Sequence, residues 1–127
     1  MIYRNLDHDR ALYAYKCVEK IEGGGDETEK KKYRSAVLAS GALIHKSGLM
    51  QTLAFYLSKK DKEYYKQLAG HILHWDYVYG GAELPLNTYH KLLNLSDEEV
   101  MYRTQEAKAL ILWLKRFAEA MLEKGEE

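Results

Sequence analysis

Two histidines and an aspartate lie close together in the sequence GHILHWD, at His71, His74 and Asp76. A spacing of three residues places both imidazoles on one face of a helix, where they could bind a metal or serve a hydrolase as base. Two ligands do not complete a metal site, however, and no H-E-x-x-H pattern accompanies them. We therefore interpret the histidines as packing or surface residues beside Trp75.

No other stretch has the spacing of a catalytic or cofactor motif. The sequence contains no G-x-S-x-G and no phosphate-binding loop, and its three consecutive glycines, Gly23 to Gly25, follow a predicted helix among acidic residues. The acidic run from Asp97 to Glu99 is explained by the positive end of a helix dipole. Because nothing assembles a nucleophile with its base, we expect a protein that is not an enzyme and that holds no cofactor or metal.

The clearest chemical signal is the distribution of charge. The chain carries 19 basic and 19 acidic residues, so its formal net charge is zero. The segment from Lys30 to Lys66 nevertheless holds nine basic and two acidic residues, a net charge of +7, which leaves −7 for the remainder. A neutral protein with such an uneven sequence can present a positive surface to a polyanion.

An apolar stretch, residues 35–60, interrupts this basic segment and ends in Lys59 and Lys60. Its length would suit a membrane span, but His45 and Lys46 would then lie within the bilayer at considerable cost. Gly48, which follows them, is typical of a helix end. We therefore predict two short helices, near residues 28–46 and 49–59, that form a buried helical hairpin, and no membrane association.

The other helices follow from apolar spacing and from their ends. The first is predicted to begin at Asp7, as N-cap, and to end at the three glycines. Helices are also predicted over residues 61–79 and 86–95, and a last one begins at Ser96 with Glu99 at capping-box spacing. With a single proline and many helix formers, the sequence predicts an all-α fold: one compact helical domain, residues 1–127, of about five to six helices.

One part of the last helix is apolar on every side. The sequence ALILWL, residues 109–114, has no polar residue to face water. Such a segment is either central in its own bundle or partly covered by a neighbouring molecule, and the sequence favours neither.

The eleven tyrosines offer a weaker signal. Aromatic rings can stack on bases, but these residues are dispersed along the chain, and no sheet motif groups them into a platform. We expect most of them to pack at the edges of helices.

The single cysteine, Cys17, cannot form an internal disulfide bond. We expect it to be a small buried apolar residue in a reducing compartment. The sequence MIYRNLDHDR at the N-terminus does not read as a signal peptide, so we expect a cytoplasmic protein.

Three blocks of the chain resemble a known family in the expected order. They are DRALYAYKCVEKI, KKYRSAVLASGALIHKSGLMQTLAFYLSKK and YRTQEAKALILWLKRFAEA, and together they cover about half of the chain. They are similar to the small helical subunit of the type III-B CRISPR effector, the Cmr complex. The resemblance implies an all-α bundle without catalytic activity, which stacks as a short filament beside the crRNA-binding backbone and large subunits and helps to hold the target RNA.

The resemblance also suggests a role for the uneven charge. Base pairing reads the sequence in RNA-guided complexes, so the protein is expected to contact the charge of the RNA backbone. The predicted nucleic-acid-binding residues are Arg34, Lys46, Lys59, Lys60, Lys66, Arg103, Lys115 and Arg116. The lysines at positions 30–32 are expected instead to pair with Glu27 and Glu29, which lie within helical reach.

Two other hypotheses remain beside this one. The chain could be a helical protein-interaction module that never contacts nucleic acid, which the salt dependence of RNA binding would reveal. A hydrolase that uses His71, His74 and Asp76 is the weakest hypothesis, and zinc content and the effect of His74→Ala would test it.

Overall fold

The computed structural model describes residues 5–75, 78 and 85–125. This part of the chain contains five α-helices and no strand, which confirms the predicted all-α bundle. The helices are α1 (Leu6–Gly23), α2 (Glu27–Ser58), α3 (Glu63–Leu73), α4 (Pro85–Leu93) and α5 (Asp97–Met121). The helix predicted over residues 61–79 corresponds to α3, and most of its predicted last turn falls outside the described residues.

The long helix α2 is folded back on itself at Gly48. This glycine has φ 84° and ψ 163°, a backbone conformation open mainly to glycine. The hydroxyl groups of Ser40 and Tyr56 are 2.6 Å apart, whereas a straight helix would separate these residues by about 24 Å. The predicted hairpin is therefore confirmed, with arms over residues 27–47 and 49–58. In the described residues, no helix combines the length and apolar character needed to cross a membrane.

The start of α1 corrects the sequence-based prediction. Its N-cap is Asn5, whose side-chain oxygen accepts a hydrogen bond from the backbone N–H of His8 at 3.2 Å. Asp7, the predicted N-cap, instead accepts hydrogen bonds from Arg10 at 3.1 Å and from the indole of Trp113 at 2.9 Å. The carboxylate of Asp7 is thus bound by Trp113, more than 100 residues away in the sequence, and does not cap the helix.

The start of α5 agrees with the sequence. Ser96 is the N-cap, and its hydroxyl oxygen accepts a hydrogen bond from the backbone N–H of Glu99 at 3.2 Å. The Glu99 carboxylate lies 3.5 Å from Arg103, one turn further along the helix.

A buried ion pair joins α1 to α5. Glu106 on α5 accepts two hydrogen bonds from Arg10 on α1, at 2.7 and 2.8 Å, and a third from the indole N–H of Trp75 at 2.9 Å. Glu106 is almost fully buried, and the pairing with Arg10 lowers the pKa of its carboxyl group. The carboxylate thus fixes α1, α5 and the chain that follows α3 relative to one another.

The apolar segment of α5 is only half covered. Leu110, Ile111 and Leu114 are buried in the core, where they pack with residues of α1 and α2, whereas Leu112 is 62% exposed. The segment is central on one side and leaves an apolar side chain facing outward on the other.

Candidate nucleic-acid interface

Three of the chain's lysines lie in the turn between α2 and α3. Lys59 is the C-cap of α2 and Lys62 is the N-cap of α3, and the backbone N–H of Lys62 donates to the carbonyl of Lys59 at 3.0 Å. The Lys62 side chain provides no hydrogen bond to the first turn of α3. The turn therefore combines cationic side chains with a helix N-terminus whose backbone donors lack a side-chain cap, which favours an anion nearby.

Lys59 and Lys60 are the predicted residues that best fit a phosphate contact. Both are exposed, and neither lies within ion-pair distance of a carboxylate of the residues described. The ammonium group of Lys59 lies 5.3 Å from the centre of the Phe55 ring. These two cations are held at the surface by the turn and not by a carboxylate of their own.

The hairpin brings another lysine to the same place. Residues equally distant from Gly48 lie opposite each other in the two arms and their continuations, so Lys32 approaches Tyr64, with its ammonium group 5.9 Å from the ring centre. Lys30 pairs with Glu27 at 3.0 Å, as predicted for this lysine run, but Lys32 does not. Lys32 and Lys62 are not among the residues predicted to bind nucleic acid, and the equal distance of Lys32 and Tyr64 from Gly48 is the signal that could have identified Lys32.

We call this group of lysines the basic corner. Its members are Lys32, Lys59, Lys60, Lys62 and Lys66. Two acidic residues share the turn, Asp61 and Glu63, which leaves a net charge of +3. Glu63 lies 3.8 Å from the ammonium group of Lys66, an exposed pair one helical turn apart that holds Lys66 only weakly.

A surface groove begins at the basic corner. Lys60 and Lys66 line it together with Leu57, Pro85 and Leu86, and its volume is about 410 Å³. The groove places cations from the α2–α3 turn and from α3 beside apolar side chains of α2 and α4.

Two other predicted residues of the basic segment lie apart from the corner. Lys46 is exposed in the last turn before Gly48, at the closed end of the hairpin and about 15 Å from Lys59 by helix length. Arg34 is partly buried on the first arm of α2, and its Nε is buried without a hydrogen-bond partner among the described residues.

The predicted residues of α5 are also dispersed. Arg103 donates to the carbonyl of Val78 at 2.9 Å and lies 3.5 Å from Glu99, so its charge is engaged within the protein. Arg116 is exposed but lies 3.3 Å from Glu119 on the same helix, and Lys115 is partly buried on another face. The structure thus brings together Lys59, Lys60 and Lys66 of the predicted residues. Nucleic-acid binding by these and by the other predicted residues stays a prediction.

Aromatic side chains from α2 and α3 cluster beside the basic corner, although the tyrosines are dispersed along the sequence. Tyr56 and Tyr65 are stacked, with ring centres 5.2 Å apart and an angle of 15°. Phe55 meets Tyr65 edge to face at 5.5 Å, and Tyr64 lies 4.5 Å from Tyr65. The contacts of Phe55 and Tyr56 with Tyr65 join α2 to α3, so they depend on how α3 packs against the second arm and could not be read from linear spacing.

The histidine pair is mainly a packing feature. His71 Nδ1 lies 2.7 Å from the hydroxyl group of Tyr33, and burial lowers the pKa of His71 to about 4. Burial also raises the pKa of Tyr33, so the tyrosine donates and the neutral imidazole accepts. Among the described residues no group of three histidines, cysteines or carboxylates could hold a metal, and Asp76 lies outside them.

The fold and the basic corner together define this protein as a small all-α protein with a basic and aromatic edge. A family model described as CRISPR-associated protein (Cas_Cmr5) matches residues 6–121. The chain therefore belongs to the Cmr5 family of CRISPR-associated proteins. This confirms the resemblance to the small helical Cmr subunit that the three sequence blocks indicated.

Two similar proteins come from Thermus thermophilus. The first, named CRISPR system Cmr subunit Cmr5, is 28% identical over 117 residues, which cover 89% of this chain and 95% of the relative. The second is the X-ray crystal structure of a CRISPR-associated Cmr5 family protein, with a TM-score of 0.78 and 26% sequence identity. That match covers 95% of this chain and 100% of the crystallised chain.

Proposed function

We propose that this protein is the non-catalytic small subunit of a cytoplasmic, crRNA-guided Cmr effector complex, in which its basic corner contacts the backbone of the target RNA. Family membership supports the assembly, since the Thermus relative bears the name of a Cmr subunit. The observation that carries the RNA contact is the placement of Lys59 and Lys60, exposed and without a carboxylate partner in the described part of the chain.

The charges of the corner suit a phosphate backbone more than a base-specific contact. Lysine is a flexible point charge, and the uncapped N-terminus of α3 adds backbone donors that phosphate oxygens accept. Neither the lysine side chains nor the N-terminus of α3 distinguishes one base from another. We therefore assign sequence recognition to the guide RNA and a sequence-independent, salt-sensitive grip to this subunit.

The experiment removes two charges from the corner within the assembled complex. The variant Lys59→Gln/Lys60→Gln keeps side chains of similar length, and target-RNA affinity is measured across a series of salt concentrations. If both lysines neutralise phosphates, the slope of log affinity against log salt becomes shallower by about 1.4, since each contact contributes about 0.7 on single-stranded RNA.

A matched control removes two charges elsewhere. Lys16→Gln/Lys124→Gln alters the same net charge on α1 and after the end of α5, outside the basic corner. This variant should retain the wild-type salt slope, because only charges close to the RNA release counterions. An unchanged slope in the Lys59→Gln/Lys60→Gln complex would refute the RNA contact and leave the protein-interaction module as the better description.

The proposal also assigns the protein contacts to the outward face of α5. Met101 and Leu112 are 67% and 62% exposed, and their spacing of eleven residues, about three turns, places them on one helix face. Tyr102 is exposed next to them. Uncovered apolar side chains in line along a helix favour a protein partner, for which we propose the other Cmr subunits and neighbouring copies of this chain in a short filament.

A further inference from the structure

A second groove lies beside the basic corner, between the two arms of the α2 hairpin. Its lining includes Leu43 and Ser47 from the first arm and Gln51, Phe55 and Ser58 from the second, and its volume is about 460 Å³. This volume is in the range of sites that hold small organic molecules. The groove combines apolar side chains with a few polar groups, a composition typical of sites for small organic molecules.

Phe55 lines this groove and also contacts Lys59. Its ring is 41% exposed, although most large apolar side chains of the hairpin are buried. Edge-to-face contact with Tyr65 and tilted contact with Tyr56, at 5.5 and 5.9 Å, hold the ring in place. Tyr56 is itself fixed by its hydrogen bond to Ser40. Phe55 is therefore a supported and accessible aromatic surface.

Charge next to the ring indicates which kind of heterocycle the groove receives. The ammonium group of Lys59 lies 5.3 Å from the Phe55 ring centre, and Lys60 follows it in the turn. An aromatic surface with cations within one nucleotide's reach is the arrangement by which proteins bind single-stranded nucleic acid. A neutral apolar partner would gain nothing from the Lys59 ammonium group beside the ring.

A polar group is available inside the groove. Thr52 and Ser58 are engaged with the backbone carbonyls of Gly48 and Phe55, at 2.8 and 2.7 Å. Gln51 is exposed, and its amide makes no hydrogen bond to the described residues. This amide offers a donor and an acceptor to the edge of a base lying against Phe55.

We infer that this groove receives one unpaired base of the RNA, stacked on Phe55 with its edge toward Gln51, while Lys59 binds the adjoining phosphate. The inference rests on the proposed RNA contact and adds to it a base-stacking subsite. Stacking is tolerant of sequence because every base has a π-face, so this site strengthens the grip without reading the RNA.

The test uses the assembled complex with its guide RNA and compares Phe55→Leu with Phe55→Tyr. Phe55→Leu keeps apolar bulk but removes the π-surface, and Phe55→Tyr keeps it. We expect Phe55→Leu to weaken target-RNA binding at least about five-fold, the lower end of what an aromatic–base stack contributes. The salt slope should stay unchanged, because no charge is lost. Phe55→Tyr should restore the affinity.

Ultraviolet cross-linking of the wild-type complex gives an independent readout. A stacked base should yield a nucleotide attached to the peptide that contains Phe55, and the adduct should disappear in Phe55→Leu. Thermal unfolding of both variants reports whether the hairpin is intact. An affinity loss smaller than five-fold, a loss that Phe55→Tyr does not reverse, or the absence of the adduct would overturn the base subsite.

The two proposals fail in different ways. If Lys59→Gln/Lys60→Gln makes the salt slope shallower while Phe55→Leu has no effect, the RNA contact stands and the base subsite is wrong. If the lysine variant leaves the slope unchanged, the RNA contact itself falls. Poor incorporation of Phe55→Leu into the complex, with the chain still folded, would show that Phe55 faces a protein neighbour and would overturn the subsite.

Discussion

The buried His71 makes the stability of this protein depend on pH in a predictable way. Its imidazole accepts a hydrogen bond from Tyr33 at 2.7 Å, and burial lowers its pKa to about 4, whereas an unfolded chain has a histidine pKa near 6.5. Between these values the unfolded state binds a proton that the folded state does not. Stability is therefore fully present above the unfolded pKa and is lost as the pH falls from about 6.5 toward 4.

The magnitude follows from the difference between the two pKa values. Each pKa unit corresponds to about 1.4 kcal/mol, so acidification from pH 7 to pH 5 should remove about 2 kcal/mol, and to pH 4 about 3 kcal/mol, from the free energy of unfolding. Urea unfolding at pH 7 and pH 5 measures this change. The variant His71→Gln keeps an acceptor for Tyr33 but does not titrate, so it should lose about 2 kcal/mol less than wild type over this interval.

Comparison of variants removes the contribution of the carboxylates, which also begin to titrate at low pH. Wild type and His71→Gln have the same carboxylates, so the difference between their pH dependences isolates His71. If His71→Gln and wild type lost the same stability between pH 7 and pH 5, the imidazole would not be neutral and buried in solution.

Two further predictions concern the hairpin and the buried ion pair. Gly48→Ala should lower the free energy of unfolding by about 1–3 kcal/mol because alanine is strained at φ 84°, although nothing lies within 4 Å of its added Cβ. Gly41→Ala, in the helical first arm, should instead raise the free energy of unfolding by about 0.5–1 kcal/mol. Equal effects of the two variants in urea unfolding would argue against a turn at Gly48. Glu106→Leu should lower the free energy of unfolding by about 3 kcal/mol because Arg10 and Trp75 lose their shared acceptor. The double variant Arg10→Met/Glu106→Leu should recover much of this loss. If the double variant were no more stable than Glu106→Leu, the unpaired charge of Arg10 would not be the cause of the loss.

The local features of the fold could be predicted from the sequence. Gly48 turns the chain through a conformation open mainly to glycine, α1 ends at Gly23 and Gly24 as the glycine run predicts, and Ser96 caps α5 by accepting from the N–H of Glu99. The N-cap of α1 could not be predicted, since Asp7 has the right residue type but is held by Trp113. Asn5, one residue before the helix, caps it instead.

The candidate site was predictable to the extent that it is contiguous in sequence. Lys59 and Lys60 follow the apolar arm directly, so their exposure could be foreseen. The carboxylate partners of Arg103 and Arg116, Glu99 and Glu119, stand four and three residues away and were also readable as helical pairs. Lys32 could have been found from its equal distance to Gly48, whereas the aromatic cluster depends on how α3 packs against α2, which residue spacing alone does not give.

The hairpin itself explains how a chain of zero net charge acquires a basic edge. The apolar part of the hairpin, residues 35–58, packs against itself and the core and carries one formal charge, at Lys46, so most of the lysines lie at the two ends of this stretch. The fold at Gly48 then brings both flanks, around residue 32 and residues 59–66, to the same open end. A straight helix of the same sequence would separate Lys32 from Lys59 by about 40 Å and leave two weak patches. The turn at a single glycine therefore concentrates the positive charge on which the proposed RNA contact depends.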